Sequence, residues 1–196
     1  MSWLGRLLIA VVVLAGGMLQ ALGQAPGPGA GQGAGPDAAV LAKANAGDAA
    51  AQVQAGESYA AAHDLKQAAA WYRKAAEQGN VAGEIHLAEL YRDGGKGWER
   101  DATQAAAWYR KAAEQGDAGA QGTLGMLYTL GQGVQRSDVE AYYWLDLAAA
   151  VKGPKQEQYA ANRQNVGTRI TADELEAVQD REAAWKAAHP RPNAAE

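Results

Sequence analysis

The chain of 196 residues contains no cysteine and no phenylalanine. Without thiols there is no disulfide scaffold, no thiol nucleophile, no thiolate metal site and no lipid-modified cysteine behind an export signal. Serine is almost as scarce, at Ser2, Ser58 and Ser137 alone, and neither G-x-S-x-G nor S-x-x-K occurs. The motifs that activate a serine nucleophile are therefore missing. The three histidines, His63, His86 and His189, form no H-E-x-x-H and no pair at helix spacing, so no zinc set is expected. Positive charge is not in excess either. Eighteen Lys and Arg against 22 Asp and Glu give a net charge of -4, which argues against a strong grip on nucleic acid.

What is abundant is alanine, at 47 positions. Alanine loses least entropy on entering a helix, so this composition predicts an all-α protein. Residues 1–23 have the three-part layout of a secretory signal: Arg6, an apolar run from Leu7 to Leu22, and small residues Ala21 and Gly23 before a cut at Gln24. A retained membrane anchor is the alternative, since about 17 apolar residues can span a bilayer. Gly16, Gly17 and Gln20 interrupt the run and favour cleavage. Removal takes Arg6 away and leaves a net charge of about -5. Residues 24–36 alternate glycine with alanine, proline and glutamine and never form G-x-G-x-x-G; they read as a flexible Gly/Pro-rich linker.

The rest of the chain repeats. Residues 67–79 (QAAAWYRKAAEQG) recur without change at 104–116, and a looser copy runs from Glu140 through Trp144 to Gly153. Trp71, Trp108 and Trp144 are 37 and 36 residues apart; Tyr59, Tyr91 and Tyr128 are 32 and 37 apart. Such periods mark a solenoid whose units cannot bury their apolar faces alone. Gly47-Asp48, Gly79-Asn80 and Gly116-Asp117 each end one helix with a left-handed residue and cap the next. Asp64-x-x-Gln67, Asp101-x-x-Gln104 and Ser137-x-x-Glu140 have capping-box spacing and open the second helix of each unit. Ala68/Trp71/Ala75, Ala105/Trp108/Ala112 and Ala141/Trp144/Ala148 then form one apolar stripe per unit. Tyr59, Trp71, Leu87, Tyr91, Trp108, Leu124, Tyr128 and Trp144 are the expected repeat core.

Leu124-Gly125-Met126-Leu127-Tyr128, Gly131-x-Gly133-Val134, Ala141 and Trp144 resemble the Sel1-like repeat, a relative of the tetratricopeptide repeat. The second copy carries Leu87 to Tyr91, Gly94, Gly97-Trp98, Asp101, Ala105, Trp108-Tyr109 and 112–116, with Trp98 where the pattern has valine. The first copy departs from it, lacking the glycine loop and turning tightly through Ala62-His63-Asp64. The resemblance implies a right-handed α/α solenoid of helix-turn-helix units with a C-terminal capping helix. The expected organisation is a partial cap helix over 37–47, repeats over 48–79, 80–116 and 117–153, C-terminal helices over 154–189 and a frayed tail over 190–196. Thr171-x-x-Glu174 followed by Leu175, Val178 and Trp185 reads as the capping helix.

Function is read from what the stacking does not need. First-helix positions that differ between copies give an expected partner-contacting set of Gln54, Glu57, His86, Glu89, Thr123 and Met126, with Trp98 on an exposed loop; ordinary surface or part-core positions are the competing reading. Carboxylates such as Glu84 and Glu89 read as solvated charges on a helix face. Arg73-Lys74 and Arg110-Lys111 read as a face salt-bridged by Glu77 and Glu114. The expectation is an exported protein-interaction module, adaptor or regulator, in the periplasm or secreted. It would be neither enzyme nor nucleic-acid binder, would carry no cofactor, and would meet a membrane only through an uncleaved signal segment. The alternatives are a peptidoglycan or polysaccharide binder using Trp98, and a hydrolase of the β-lactamase-like kind linked to cysteine-rich relatives, whose cysteines and serine motif this chain lacks.

Overall fold

The computed structural model describes residues 35–190. The segments expected to be an export signal, a linker and a frayed tail, residues 1–34 and 191–196, lie outside them. Among the described residues are nine helices: α1 (Ala38–Asn45), α2 (Ala49–Ala61), α3 (Leu65–Glu77), α4 (Val81–Asp93), α5 (Ala102–Glu114), α6 (Ala118–Leu130), α7 (Asp138–Ala149), α8 (Gln156–Gly167) and α9 (Ala172–Ala188). The only extended pairing there is an isolated bridge between Gly95 and Trp98. From α1 to α8 each helix packs on the next, and the first helices α2 and α4 touch, so the chain is an all-α helical solenoid. The final helix α9 lies against α7.

The joints follow from local chemistry. Gly47, Gly79 and Gly116 hold φ of 97°, 77° and 92°, a left-handed backbone that only glycine enters at little cost. The next residue then caps: Asp48, Asn80 and Asp117 accept from the amides of Ala51, Gly83 and Ala120 at 2.9, 3.0 and 2.7 Å. In the second helices, Asp64, Asp101 and Ser137 accept from the amides of Gln67, Gln104 and Glu140 at 3.1, 3.0 and 3.2 Å. The return leg of a capping box is replaced in these three. Their own amides donate instead to the carbonyls of Tyr59, Tyr91 and Tyr128 at 2.9, 2.8 and 3.1 Å, closing each helix pair. A complete box forms at Thr171 and Glu174 of α9.

The alanine stripe Ala68/Ala75, Ala105/Ala112 and Ala141/Ala148 is wholly buried. The aromatic filling differs from the sequence expectation. Trp71, Leu87, Leu124, Tyr128 and Trp144 are buried, but Tyr59, Tyr91 and Trp108 are half-buried at the edges of the clusters. Tyr72, Tyr109 and Tyr143, each beside a repeat tryptophan, are buried instead. A helix with neighbours on two sides buries a wide stripe, so adjacent residues of each Trp-Tyr pair share the filling.

A second repeated device is polar. Gln52, Glu84 and Gln121 stand four residues past their caps and are all buried. The Gln52 and Gln121 amides donate to the carbonyls of Ala44 and Ala113, both at 3.1 Å, tying each first helix to the end of the preceding one. Glu84 accepts instead from Gln115 Nε2 at 2.8 Å, and burial raises its pKa. It is thus a desolvated joint residue, not the solvated carboxylate that the sequence suggested.

Where the third copy diverges, the array ends. Gly122 stands where earlier units have Val53 and Ile85, and a Cβ there would collide with the ring of Tyr159, which is buried from α8. In α7, Asp146 replaces the arginine of the earlier copies and pairs with Arg163 of α8. Helix α9 buries Val178 on the last repeat, and Arg181 bonds Glu140 at 2.6 Å while lying 3.8 Å from the Tyr143 ring centre. Glu182, 5% exposed, is pushed up to about 7 by burial and by a hydrogen bond to Asp146. Lys186, 3.3 Å from Glu182 and 3.8 Å from Asp146, offsets only part of that.

Two outcomes follow from this packing. Trp144→Ala is expected to cost about 3–5 kcal/mol in urea unfolding, and the half-buried Trp108 clearly less; equal losses would contradict the burial order. The folded pKa of Glu182 lies above its ordinary value, so the stability it contributes is full at acid pH and fades as pH rises through about 7. Glu182→Gln should therefore raise the melting temperature more at pH 8 than at pH 5, followed by circular dichroism.

Candidate functional site

The first helices carry the positions that stacking leaves free. Counted from the caps Asp48, Asn80 and Asp117, Gln54, His86 and Thr123 share one register, and Glu57, Glu89 and Met126 share another three residues on. One helical turn separates the two registers, so they line one face.

Three members of the expected set meet. His86 Nε2 lies 3.4 Å from Glu57 Oε1 on α2, and His86 Nδ1 lies 3.1 Å from Glu89 Oε2 on α4. The imidazole also stacks on Tyr72 of α3, with ring centres 5.0 Å apart. The hydrogen bond to Glu89 is the main force raising the His86 pKa, helped by the charges of both glutamates against the opposing effect of burial. Tyr72 is pushed up to about 12, first by burial and then by the same carboxylates. The row continues with Arg92, which forks onto Asp93 at 2.7 and 2.8 Å and donates to the Tyr109 hydroxyl at 2.8 Å. The result is an acidic strip of Glu57, Glu89 and Asp93 interleaved with the imidazole of His86 and the guanidinium of Arg92. Protonation of His86 changes the charge of its centre.

The remaining members are placed differently. Gln54 is exposed beside this cluster, and Thr123 is half-buried with its hydroxyl donated to the Gly119 carbonyl at 2.9 Å. Met126 is not free: Asn162 Nδ2 of α8 approaches its sulfur at 3.1 Å, so α8 covers the third repeat's part of the face. Trp98 is not an exposed loop residue. It is half-buried against the core, 5.2 Å from Tyr91 between ring centres, and its Nε1 is buried without a partner. The fused loop Gly95–Trp98 folds back through its bridge and carries the indole inward.

Tyr72, Tyr109 and Arg92 belong to this site, and the sequence reading missed them. Their signal was the second aromatic of each Trp-Tyr pair. The basic pairs also differ from expectation. Arg73 and Arg110 donate to the hydroxyls of Tyr91 and Tyr128, while Lys74 and Lys111 lie 3.8 and 3.9 Å over the rings of Trp71 and Trp108. Glu77 and Glu114 do not take these cations, because the aromatics of the repeat present nearer faces. Among the described residues no group of three His, Asp or Glu is placed to hold a metal ion, and no helix is long and apolar enough to cross a membrane.

Stacked helix pairs joined by caps, with a Trp-Tyr pair in each of the first two second helices and a row of unlike side chains along the first helices, define an α-solenoid repeat protein. The chain belongs to the Sel1 repeat family, whose model matches three times, over residues 49–80, 81–117 and 118–150. Among solved structures it is similar to a protective antigen of uropathogenic Escherichia coli displaying an SLR fold, with 34% identity and a TM-score of 0.65. That match covers 76% of this chain and 32% of the antigen, so the chain spans about a third of the antigen's length. It is also similar to a Sel1 repeat protein from Oxalobacter formigenes, with 37% identity and a TM-score of 0.54, covering 59% of this chain and 90% of that one. No curated protein matches. Sel1 repeat solenoids are generally protein-protein interaction modules.

The His86 geometry has a direct readout. Its ring protons, followed by NMR, should titrate above the ordinary histidine range, and Glu89→Gln should lower that pKa more than Glu57→Gln. Equal shifts would show that charge alone, rather than the hydrogen bond to Glu89, sets it.

Proposed function

We propose that the protein is an exported adaptor that binds another protein through the first-helix strip of Gln54, Glu57, His86 and Glu89, and that it works by binding and not by turnover. The observation that carries this reading is the junction of Glu57, His86 and Glu89 across two repeats. Their side chains vary between copies, stand clear of the alanine stacking, and gather into one polarised surface. A solenoid presents such a strip as an extended contact surface. With three repeats the contact is small enough for reversible association in place of a permanent complex.

Export is supported by the apolar run of residues 7–22 with its small residues before Gln24. The similar antigen supports it too, since an antigen is met by antibody. Trp98 is half-buried against Tyr91 and not fully exposed, which leaves less of its ring open to stack on a sugar.

The test is affinity capture from envelope extract, with the protein lacking residues 1–23 as bait and a Glu57→Gln/Glu89→Gln variant beside it. The expected outcome is one protein recovered by wild type and at least about tenfold depleted by the variant, with unchanged melting. Equal recovery by both would remove the strip from the interface.

A further inference from the structure

A different pair of surfaces carries a second inference. Two clefts open between a second helix and the loop of the following repeat. One, of about 390 Å³, is lined by Lys66, Ala69, Arg73, Lys74 and Glu77 of α3 with Trp98 of the loop. The other, of about 520 Å³, is lined by Arg110 of α5, Tyr128, the loop residues Val134, Arg136 and Ser137, and Glu140. They share two positions of the repeat, the second-helix arginine and the loop residue three before the next cap. Arg73 and Arg110 sit at the same position of the identical segments, and Trp98 and Val134 at the same position of the two glycine loops. Each arginine is held from one side by the hydroxyl of the next repeat's tyrosine, Tyr91 or Tyr128.

A phenol is a neutral acceptor. It orients a guanidinium and leaves the full positive charge uncompensated, with donor positions to spare. Lys66 and Lys74 add charge to the first cleft, where Glu77 is the only acid in the lining. In the second, Glu140 is engaged by Arg181 at 2.6 Å, and Arg136 stands 3.7 Å from Asp138, which Arg169 holds at 2.7 Å. Both clefts keep a cationic surplus on a chain that is acidic overall. Beside each arginine is an apolar wall, Ala69 with Trp98 in one and Val134 in the other.

We propose that these clefts are a tandem site for an acidic peptide segment of a partner protein, one carboxylate facing Arg73 and another Arg110, with small apolar side chains between them against Trp98 and Val134. Carboxylates match the guanidinium fork in charge and geometry. The overall negative charge disfavours long polyanions such as nucleic acid, whose binding relies on a broad positive field. This site uses other residues than the first-helix strip and goes beyond the adaptor reading.

The experiment measures fluorescence anisotropy of a labelled peptide of alternating glutamate and alanine against the full chain. Alternating glutamine-alanine and lysine-alanine peptides and single-stranded DNA serve as comparisons. The acidic peptide is expected to bind, to weaken as salt rises, and to lose roughly tenfold or more in affinity with Arg73→Gln/Arg110→Gln, since an exposed pair is worth up to about fivefold each. Tyr91→Phe/Tyr128→Phe loses the same phenol bonds but keeps both charges. It should retain binding, which separates recognition from any loss of stability in the arginine variant. Glu57→Gln/Glu89→Gln should bind as wild type does. Unchanged affinity in the arginine variant, equal binding of the glutamine peptide, or tighter binding of DNA would each overturn the proposal. None of those results would alter the outcome of the capture experiment on the first-helix strip.

Discussion

A helix whose buried positions are alanine can approach its neighbours closely, but it leaves space that alanine cannot fill. The second helices here all have that problem, and each solves it with a pair of large side chains beside the stripe: Trp71 and Tyr72, Trp108 and Tyr109, Tyr143 and Trp144. Because Trp71 packs back on α1 and α2 while Tyr72, Trp108 and Tyr109 join clusters shared with neighbouring repeats, no unit is complete alone. The same close approach lets Gln52 and Gln121 reach the carbonyls of the preceding helix, and lets a cap amide reach the tyrosine carbonyl that closes each helix pair. Packing and hydrogen bonding at the joints therefore depend on one condition, small residues at every crossing.

The third repeat shows how that condition ends an array. An arginine that reaches forward to a tyrosine hydroxyl in the first two units becomes Asp146, which takes Arg163 from α8. The polarity of the inter-repeat bond is reversed, and the half-buried acid draws Glu182 and Lys186 of α9 to the same place. The cap is thus held by a carboxyl pair that shares its environment unequally, Glu182 raised and Asp146 lowered. A helix docked through titrating groups is tuned by pH in a way that a purely apolar cap is not.

Charge is sorted along with structure. Acids gather on the first helices, where His86 and Arg92 lock them into a strip; cations gather on the second helices, where phenols and indoles hold them without cancelling them. The first and second helices thus present two chemically opposite faces. The exception is the third repeat, whose share of the first face is covered by α8 through Tyr159 and Asn162.

Much of this was legible in the residues. Thirteen identical positions in register, glycine followed by Asp or Asn, and tryptophans 37 and 36 residues apart determine a helical solenoid and its joints, because caps and left-handed turns are decided within a few residues. Local rules reached even Glu57, His86 and Glu89, by asking what stacking left free. They stopped where partners come from another repeat. That Glu84 is buried, that Arg73 and Arg110 serve tyrosines and not Glu77 and Glu114, that Trp98 turns inward and that Tyr109 lies deeper than Trp108 all depend on which side chain a neighbouring helix brings alongside. Periodicity states that a face is shared; only the tertiary packing decides with whom, because the energy of a charge or an aromatic ring belongs to the pair it forms and not to the residue itself.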